Sequence, residues 1–219
     1  MTEKEIEKVQ LRAAKDLSKL LGWKFKRNFI YKVVDDFYYT AYFYKHRREN
    51  KLSGWLAFKP LKIDVVFWDI INEVGNKSMP LSFRAEAAFC INPLHILDFK
   101  IEVNNAENPS SEISGLLNEI NQAVEKNSLK IKSREDYLNE LFQQEEKSTS
   151  AIVTSLIGDG NYQQALLKIE DYKANKFHSG FGVLTKEGIE DFYDVAKAYI
   201  IHNTEKTAIN PTPAPGSSN

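Results

Sequence analysis

From Thr2 to Leu21 the apolar residues Ile6, Val9, Ala13, Leu17, Leu20 and Leu21 recur at three- and four-residue steps, with Lys, Glu, Gln and Asp between them. That spacing predicts an amphipathic helix. Thr2 and Glu5 have the separation of a capping box, and Gly22 stands where a left-handed residue closes a helix. After Gly22 the period falls to two. Phe29, Tyr31 and Val33 alternate with Asn28, Ile30 and Lys32, and Asp35-Asp36 suits a turn. In the next strand Phe37, Tyr39, Ala41 and Phe43 share one face, and Tyr38, Thr40, Tyr42 and Tyr44 share the other. His46 to Lys51 reads as a charged hairpin tip. The run from Trp55 to Trp68 is almost continuously apolar. Pro60 in its middle predicts a bend, a bulge or an edge, because proline donates nothing to a ladder. Asp69 to Val74 is open between an extension of that run and a short helix. Two further alternations follow: Phe83, Ala85, Ala87 and Phe89, then His95, Leu97, Phe99, Ile101 and Val103. Together they predict an antiparallel sheet with one face covered and one wet.

The second half changes class. Asn108-Pro109 opens a helix carrying Ile113, Leu116, Leu117, Ile120 and Val124. Ser133 with Asp136 opens another, with Tyr137, Leu138, Leu141 and Phe142. Ile152–Ile157 reads as helical up to the Gly158-Asp159-Gly160 break, and two helices follow over Tyr162–Lys173 and Lys186–Ile201. The predicted class is α+β: an N-terminal helix, a four- to five-stranded antiparallel meander, then C-terminal helices. The expected division is a meander domain over residues 1–127, a helical extension or small bundle over 128–202, and a disordered tail over 203–219.

Composition is that of an ordinary globular chain, with 42% hydrophobic and 27% charged residues among 219. One cysteine, Cys90, rules out an internal disulfide and fits a reducing compartment. No signal-peptide pattern and no membrane-length apolar run is visible, so a cytoplasmic location without a membrane partner is expected. Charge is uneven. Gly22–Lys62 holds ten Lys/Arg against three Asp/Glu, whereas Ile63–Glu146 holds seven against fifteen. Such polarity concerns partners rather than fold.

The opening helix, the Leu21-Gly22-Trp23-Lys24-Phe25-Lys26 turn and the aromatic first strands together resemble an uncharacterised family of bacterial domains of unknown function. The resemblance spans about Thr2 to Glu125 and implies a fold and a bacterial origin, but no chemistry. Gly160 to Leu166, GNYQQAL, is similar to half of a tetratricopeptide-type hairpin, without a second copy at the family's period. An ordinary helix start after a glycine turn accounts for it as well.

Tyr38, Tyr42 and Tyr44, close in sequence to Lys45, Arg47 and Arg48, form the sharpest candidate binding set. Tyrosine's preference for strands and its amphipathic ring can explain the pattern without a ligand. Aromatic and arginine residues also supply most protein-interface hot spots, and basic groups beside rings suit single-stranded nucleic acid. Asp98-Phe99-Lys100, with Glu86 and Asp64 as candidate neighbours, looks like the D-x-K end of a restriction-type nuclease motif, but the family's upstream Pro-Asp pair is missing. Cross-strand pairing among Arg84, Glu86, Asp98, Lys100 and Glu102 is the plainer account. His46, His95, His178 and His202 are scattered, so no zinc or other metal site and no cofactor is expected. His95 is in phase with the apolar face, His178 lies in the loop HSGFG, and Cys90 reads as a small buried hydrophobe. Phosphate-binding, dinucleotide and hydrolase-elbow motifs are missing. The expectation is a non-enzymatic protein-interaction module (adaptor, immunity or accessory subunit) using an aromatic, basic-rimmed sheet face. The alternative is a nucleic-acid binder or a metal-dependent nuclease acting through Asp98 and Lys100.

Overall fold

A computed structural model of the chain describes residues 2–45, 51–85, 89–104 and 108–209. The class is α+β, as the hydrophobic periods indicate. Helix α1 (Glu3–Leu20) opens with the capping box read from the sequence: Thr2 N–H donates to Glu5 Oε2 at 2.6 Å, and Glu5 N–H to Thr2 Oγ1 at 3.4 Å. Gly22, at φ 76°, turns the chain into the sheet. Five strands follow in sequence order, each antiparallel to the next: β1 (Lys24–Lys26), β2 (Phe29–Val34), β3 (Phe37–Lys45), β4 (Lys51–Pro60) and β5 (Leu94–Glu102).

The chain divides into two compact units. The first holds the described residues up to Lys62 together with Pro80–Glu140, and so contains the whole sheet, α1, α3 (Ser110–Lys130) and most of α4 (Arg134–Phe142). Its core lies on the sheet face of Ile30, Phe37, Tyr39, Ala41, Phe43, Leu56, Phe58 and Phe99, all buried. Helix α3 meets that face with Ile113, Leu116, Leu117, Ile120 and Val124. Asn127 Nδ2 donates to Tyr39 Oη at 3.1 Å, and the Lys32 ammonium donates to Asn121 while lying 4.6 Å from the Trp23 ring centroid. Tyr137 of α4 closes the same core edge-on against Phe58, with centroids 5.6 Å apart. Gly54 has no room for a side chain, since a Cβ there would stand 2.4 Å from Cζ of Phe99. Leu20, placed in the apolar stripe of α1 by spacing, is instead 82% exposed at the helix end.

The second unit comprises Ile63–Met79 with the chain from Leu141 onward. The apolar run Trp55–Trp68 is therefore two elements rather than a bent strand. β4 stops at Pro60, and α2 (Ile63–Ile70) begins three residues later. At the centre of this unit is α5 (Glu145–Gly158), buried at every residue from Ser148 to Ile157. α6 (Tyr162–Ala174) and α7 (Phe192–Ile209) pack against it. The boundary read near residues 127–133 and the structural division after Glu140 do not coincide, and Ile63–Met79 belongs to the helical unit.

Three expected elements change. The Phe83–Phe89 alternation is a 3-10 turn (Leu81–Ala85) with Phe83 buried and stacked 5.6 Å from a half-exposed Phe89; residues 86–88, and so Glu86, lie outside the described residues. The helix expected from Lys186 starts only at Phe192. A hairpin of β6 (Gly182–Thr185) and β7 (Gly188–Asp191) precedes it, with Gly188 at φ 133°, a value closed to a helix. The tail expected to be disordered from Asn203 is helical to Ile209, where Thr204 Oγ1 donates to the Ile200 carbonyl at 3.0 Å; residues 210–219 lie outside the described set.

Candidate binding face of the sheet

Residues directly opposite in an antiparallel ladder share a face. On the face away from the core, the register therefore aligns Lys26, Phe29, Tyr42, Trp55 and Asp98 in one row across all five strands. The neighbouring rows are Lys24, Tyr31, Thr40, Ala57 and His95 on one side, and Tyr44, Ser53 and Lys100 on the other. The sequence-stated tyrosine face is thus one face of one sheet, but it is not uniformly open. The segment after Pro80 ties down one end. Lys59 Nζ donates to the Ile91 carbonyl at 2.7 Å, Arg84 to the Leu61 carbonyl at 2.7 Å, and Lys26 Nζ to Ser82 Oγ at 3.2 Å. At that end Tyr38, Thr40, Ala57 and Lys59 are buried. Tyr38 is therefore a core residue, stacked on Tyr31 at 5.7 Å, and it does not present its ring to a partner.

The other end stays open. Tyr42 and Trp55 stack nearly parallel, centroids 5.7 Å apart and planes 11° from parallel, and both are half-exposed. Tyr44 is 45% exposed one row away. Lys45 ends β3, but its side chain and the whole of Arg47, Arg48 and His46 lie outside the described residues. The structure adds two rings that the sequence reading left out, Trp55 and Tyr31. Cross-strand register brings them to the tyrosines, and a single strand's alternation does not reveal register.

His95 is also corrected. A bulge between Leu56 and Ala57 of the ladder leaves Ile96 as the extra residue, so His95 pairs with Ala57 on the outer face while Leu97 stays inside. There His95 Nε2 lies 3.1 Å from Asp98 Oδ1, and both are exposed. Asp98 and Lys100 share this face, but Asp64 is a buried residue of α2. Among the described residues no group of three or more His, Cys, Asp or Glu side chains is placed to hold a metal ion. Cys90 is buried, its thiol 3.3 Å from the Phe83 carbonyl it donates to. His178 is exposed, and its loop is fixed by Thr149 Oγ1, which donates to the His178 carbonyl at 3.1 Å, and by Ser179 Oγ, which donates to Asp191 at 2.9 Å.

A second cluster of titratable groups lies in the helical unit, beside a hollow of about 530 Å³ lined by Phe142, Gln144, Glu145 and Phe177. Tyr172 donates to Glu145 Oε1 at 2.9 Å, and the Lys168 ammonium donates to the same oxygen. Lys168 also lies 5.3 Å from the Phe142 ring and 5.6 Å from that of Tyr172. The Lys168 hydrogen bond holds the Glu145 carboxyl below its usual range, while burial and then Glu145 push the Tyr172 phenol far up. All three groups satisfy one another, an arrangement that clasps α5 to α6 rather than offering a reactive group. Among the described residues no helix is long and apolar enough to cross a membrane. Comparison with family models, with curated proteins and with solved structures finds no match to this chain.

Proposed function

We propose that the chain is a non-enzymatic protein-interaction module that binds a protein partner through the open end of the outer sheet face. The supporting observation is the stacked, half-exposed Tyr42–Trp55 pair with the exposed Tyr44 ring beside it. Large amphipathic rings held rigid by a sheet lose little entropy on binding and are the residues that dominate interface energetics. Exposed Lys24, Asp98, Lys100 and Glu102 surround the rings with both signs of charge, as the polar rim of a protein interface requires. A nucleic-acid site would call for cations of one sign along the backbone track. In this reading the partner is a cytoplasmic protein of a bacterial cell, and the role is that of an adaptor, immunity protein or accessory subunit.

The test is a photo-crosslinking residue at Tyr44 in the full chain, expressed in the cell of origin, with the captured species identified by mass spectrometry. A single captured protein is expected, with Trp55→Ala and Tyr42→Ala each weakening its binding by at least about 2 kcal/mol. Arg47→Glu with Arg48→Glu should mainly slow association. Capture of nucleic acid, with binding whose salt dependence flattens in the arginine variant, would replace this reading by the nucleic-acid one.

A further inference from the structure

The two edges of the five-stranded sheet are unlike. β1, at one edge, is three residues long and sets Lys24 and Lys26 on the outer face, a short lysine-bearing edge of the kind that wards off further strands. β5, at the other, is nine residues long. It pairs with β4, and among the described residues no backbone hydrogen bond reaches its far side. Every second N–H and C=O along it therefore points away from β4. Leu97 and Ile101, on the core face, are only half-buried at this edge, and Asp98 and Lys100, on the outer face, are exposed.

We infer that β5 is a self-association edge, on which Leu97–Ile101 pairs antiparallel with the same segment of a second copy about a two-fold axis at Phe99. Opposed residues must share a face, so the axis falls on a residue and not between two. The bulge at Ile96 breaks face parity on one side, and the strand ends at Glu102 on the other. Phe99 and Lys100 are then the axes that keep the longest ladder within the strand. Charge chooses between them. An axis at Lys100 opposes lysine to lysine and Asp98 to Glu102. An axis at Phe99 sets Asp98 of each copy against Lys100 of the other, twice by symmetry, and Leu97 against Ile101. The Phe99 ring leaves the joint clear, because it lies back over Gly54 of β4, 5.5 Å from the Phe43 ring. His95 meets Asp98 at Oδ1, and the Asp98 side chain is still 82% exposed. An extended peptide of one charge fits less well, since the outer row of β5 alternates Asp98, Lys100 and Glu102. Exposed ion pairs are weak singly, so they choose the register, while backbone hydrogen bonds and the covering of Leu97 and Ile101 hold the pair. Such a joint buries far less than the roughly 1,200 Å² of a stable interface, so the dimer should form in the micromolar-to-millimolar range. Two five-stranded sheets become one, and the row Tyr42, Trp55, Asp98 runs on into Lys100, Ser53 and Tyr44 of the other copy.

Sedimentation velocity of the full chain across that range should show a reversible monomer–dimer equilibrium. Asp98→Lys and Lys100→Asp each place like charges in both facing pairs, and each should weaken the dimer at least about tenfold. An equal mixture of the two variants should restore it, now as a mixed dimer. Circular dichroism should match the parent for both, since the altered side chains are exposed. Tyr42→Ala, two strands from the edge, should leave the equilibrium unchanged, which separates this contact from one made by the aromatic face. In the parent, alternate amides between Leu97 and Ile101 should exchange more slowly as concentration rises, whereas those of β1 should not. A parent that stays monomeric at every concentration, or dimers that survive both charge variants, would overturn the inference. So would a charge-variant mixture that remains monomeric, a dimer lost with Tyr42→Ala, or β5 amides indifferent to concentration.

Discussion

Gln10 occupies the centre of the inward stripe of α1, with Ala14 and Ser18 on the next turns, and all three are fully buried. Neither its amide nitrogen nor its oxygen finds a hydrogen-bond partner among the described residues. A buried amide without partners carries its desolvation cost uncompensated. Gln10→Leu should therefore raise stability by about 1–3 kcal/mol, read as a higher denaturant midpoint at unchanged slope. A lower midpoint would mean that the amide is paired. The tyrosines of β3 test the sheet face at the same scale. Tyr38→Ala removes a fully buried ring and should cost about 3–5 kcal/mol, as large-to-small core changes do. Tyr44→Ala removes an exposed one and should stay within about 0.5 kcal/mol. Equal costs would erase the distinction between the covered and open ends of the face.

At the scale of elements, legibility follows how local the determining physics is. The α1 capping box, the alternation in β2 and β3 and the apolar stripe of α3 depend on neighbours within a few residues, and the sequence states them. What it conceals is set by partners far along the chain. The run Trp55–Trp68 is almost continuously apolar because β4 is buried at every residue from Leu56 to Pro60 and most of α2 is buried in turn; near-continuous apolarity carries no period to separate strand from helix. Helix α5 is short of signal for the same reason, since burial on all sides erases its stripe. Its hydroxyls read as polar, yet Thr154 Oγ1 donates to the Ser150 carbonyl at 2.7 Å and so enters the core satisfied. The bulge that moves His95 outward, and the register that sets Trp55 beside Tyr42, are pairing events between strands distant in sequence. The site was legible as an aromatic strand and illegible as a constellation.

At the scale of the molecule, the two units should respond differently to alkaline pH. In the helical unit burial raises the phenols of Tyr172, Tyr193 and Tyr199, that of Tyr193 to about 12. The hydrogen bond to Asp194 raises the Lys173 ammonium as well. A group whose folded pKa is raised contributes stability that is complete below its unfolded value and is lost as pH climbs from there. For these four groups the loss begins at 10.0 for the tyrosines and 10.5 for the lysine. In the sheet unit Tyr39 is raised by burial, but Lys32 is lowered by burial, and a lysine with a lowered pKa adds stability as pH rises toward 10.5. The two effects oppose each other there, whereas in the helical unit all four act in one direction. Between pH 10.0 and about 12 the helical unit should therefore unfold first. Trp68 of α2 reports on that unit and Trp23 and Trp55 on the other. In Trp23→Phe/Trp55→Phe the remaining indole should lose its buried emission over this range, with a delayed phase of tyrosinate absorbance appearing in step. In Trp68→Phe, emission from the sheet unit should change only at higher pH. Tyrosines that all ionise near 10, or a sheet-unit signal that is lost first, would show that burial in the helical unit does not protect these phenols.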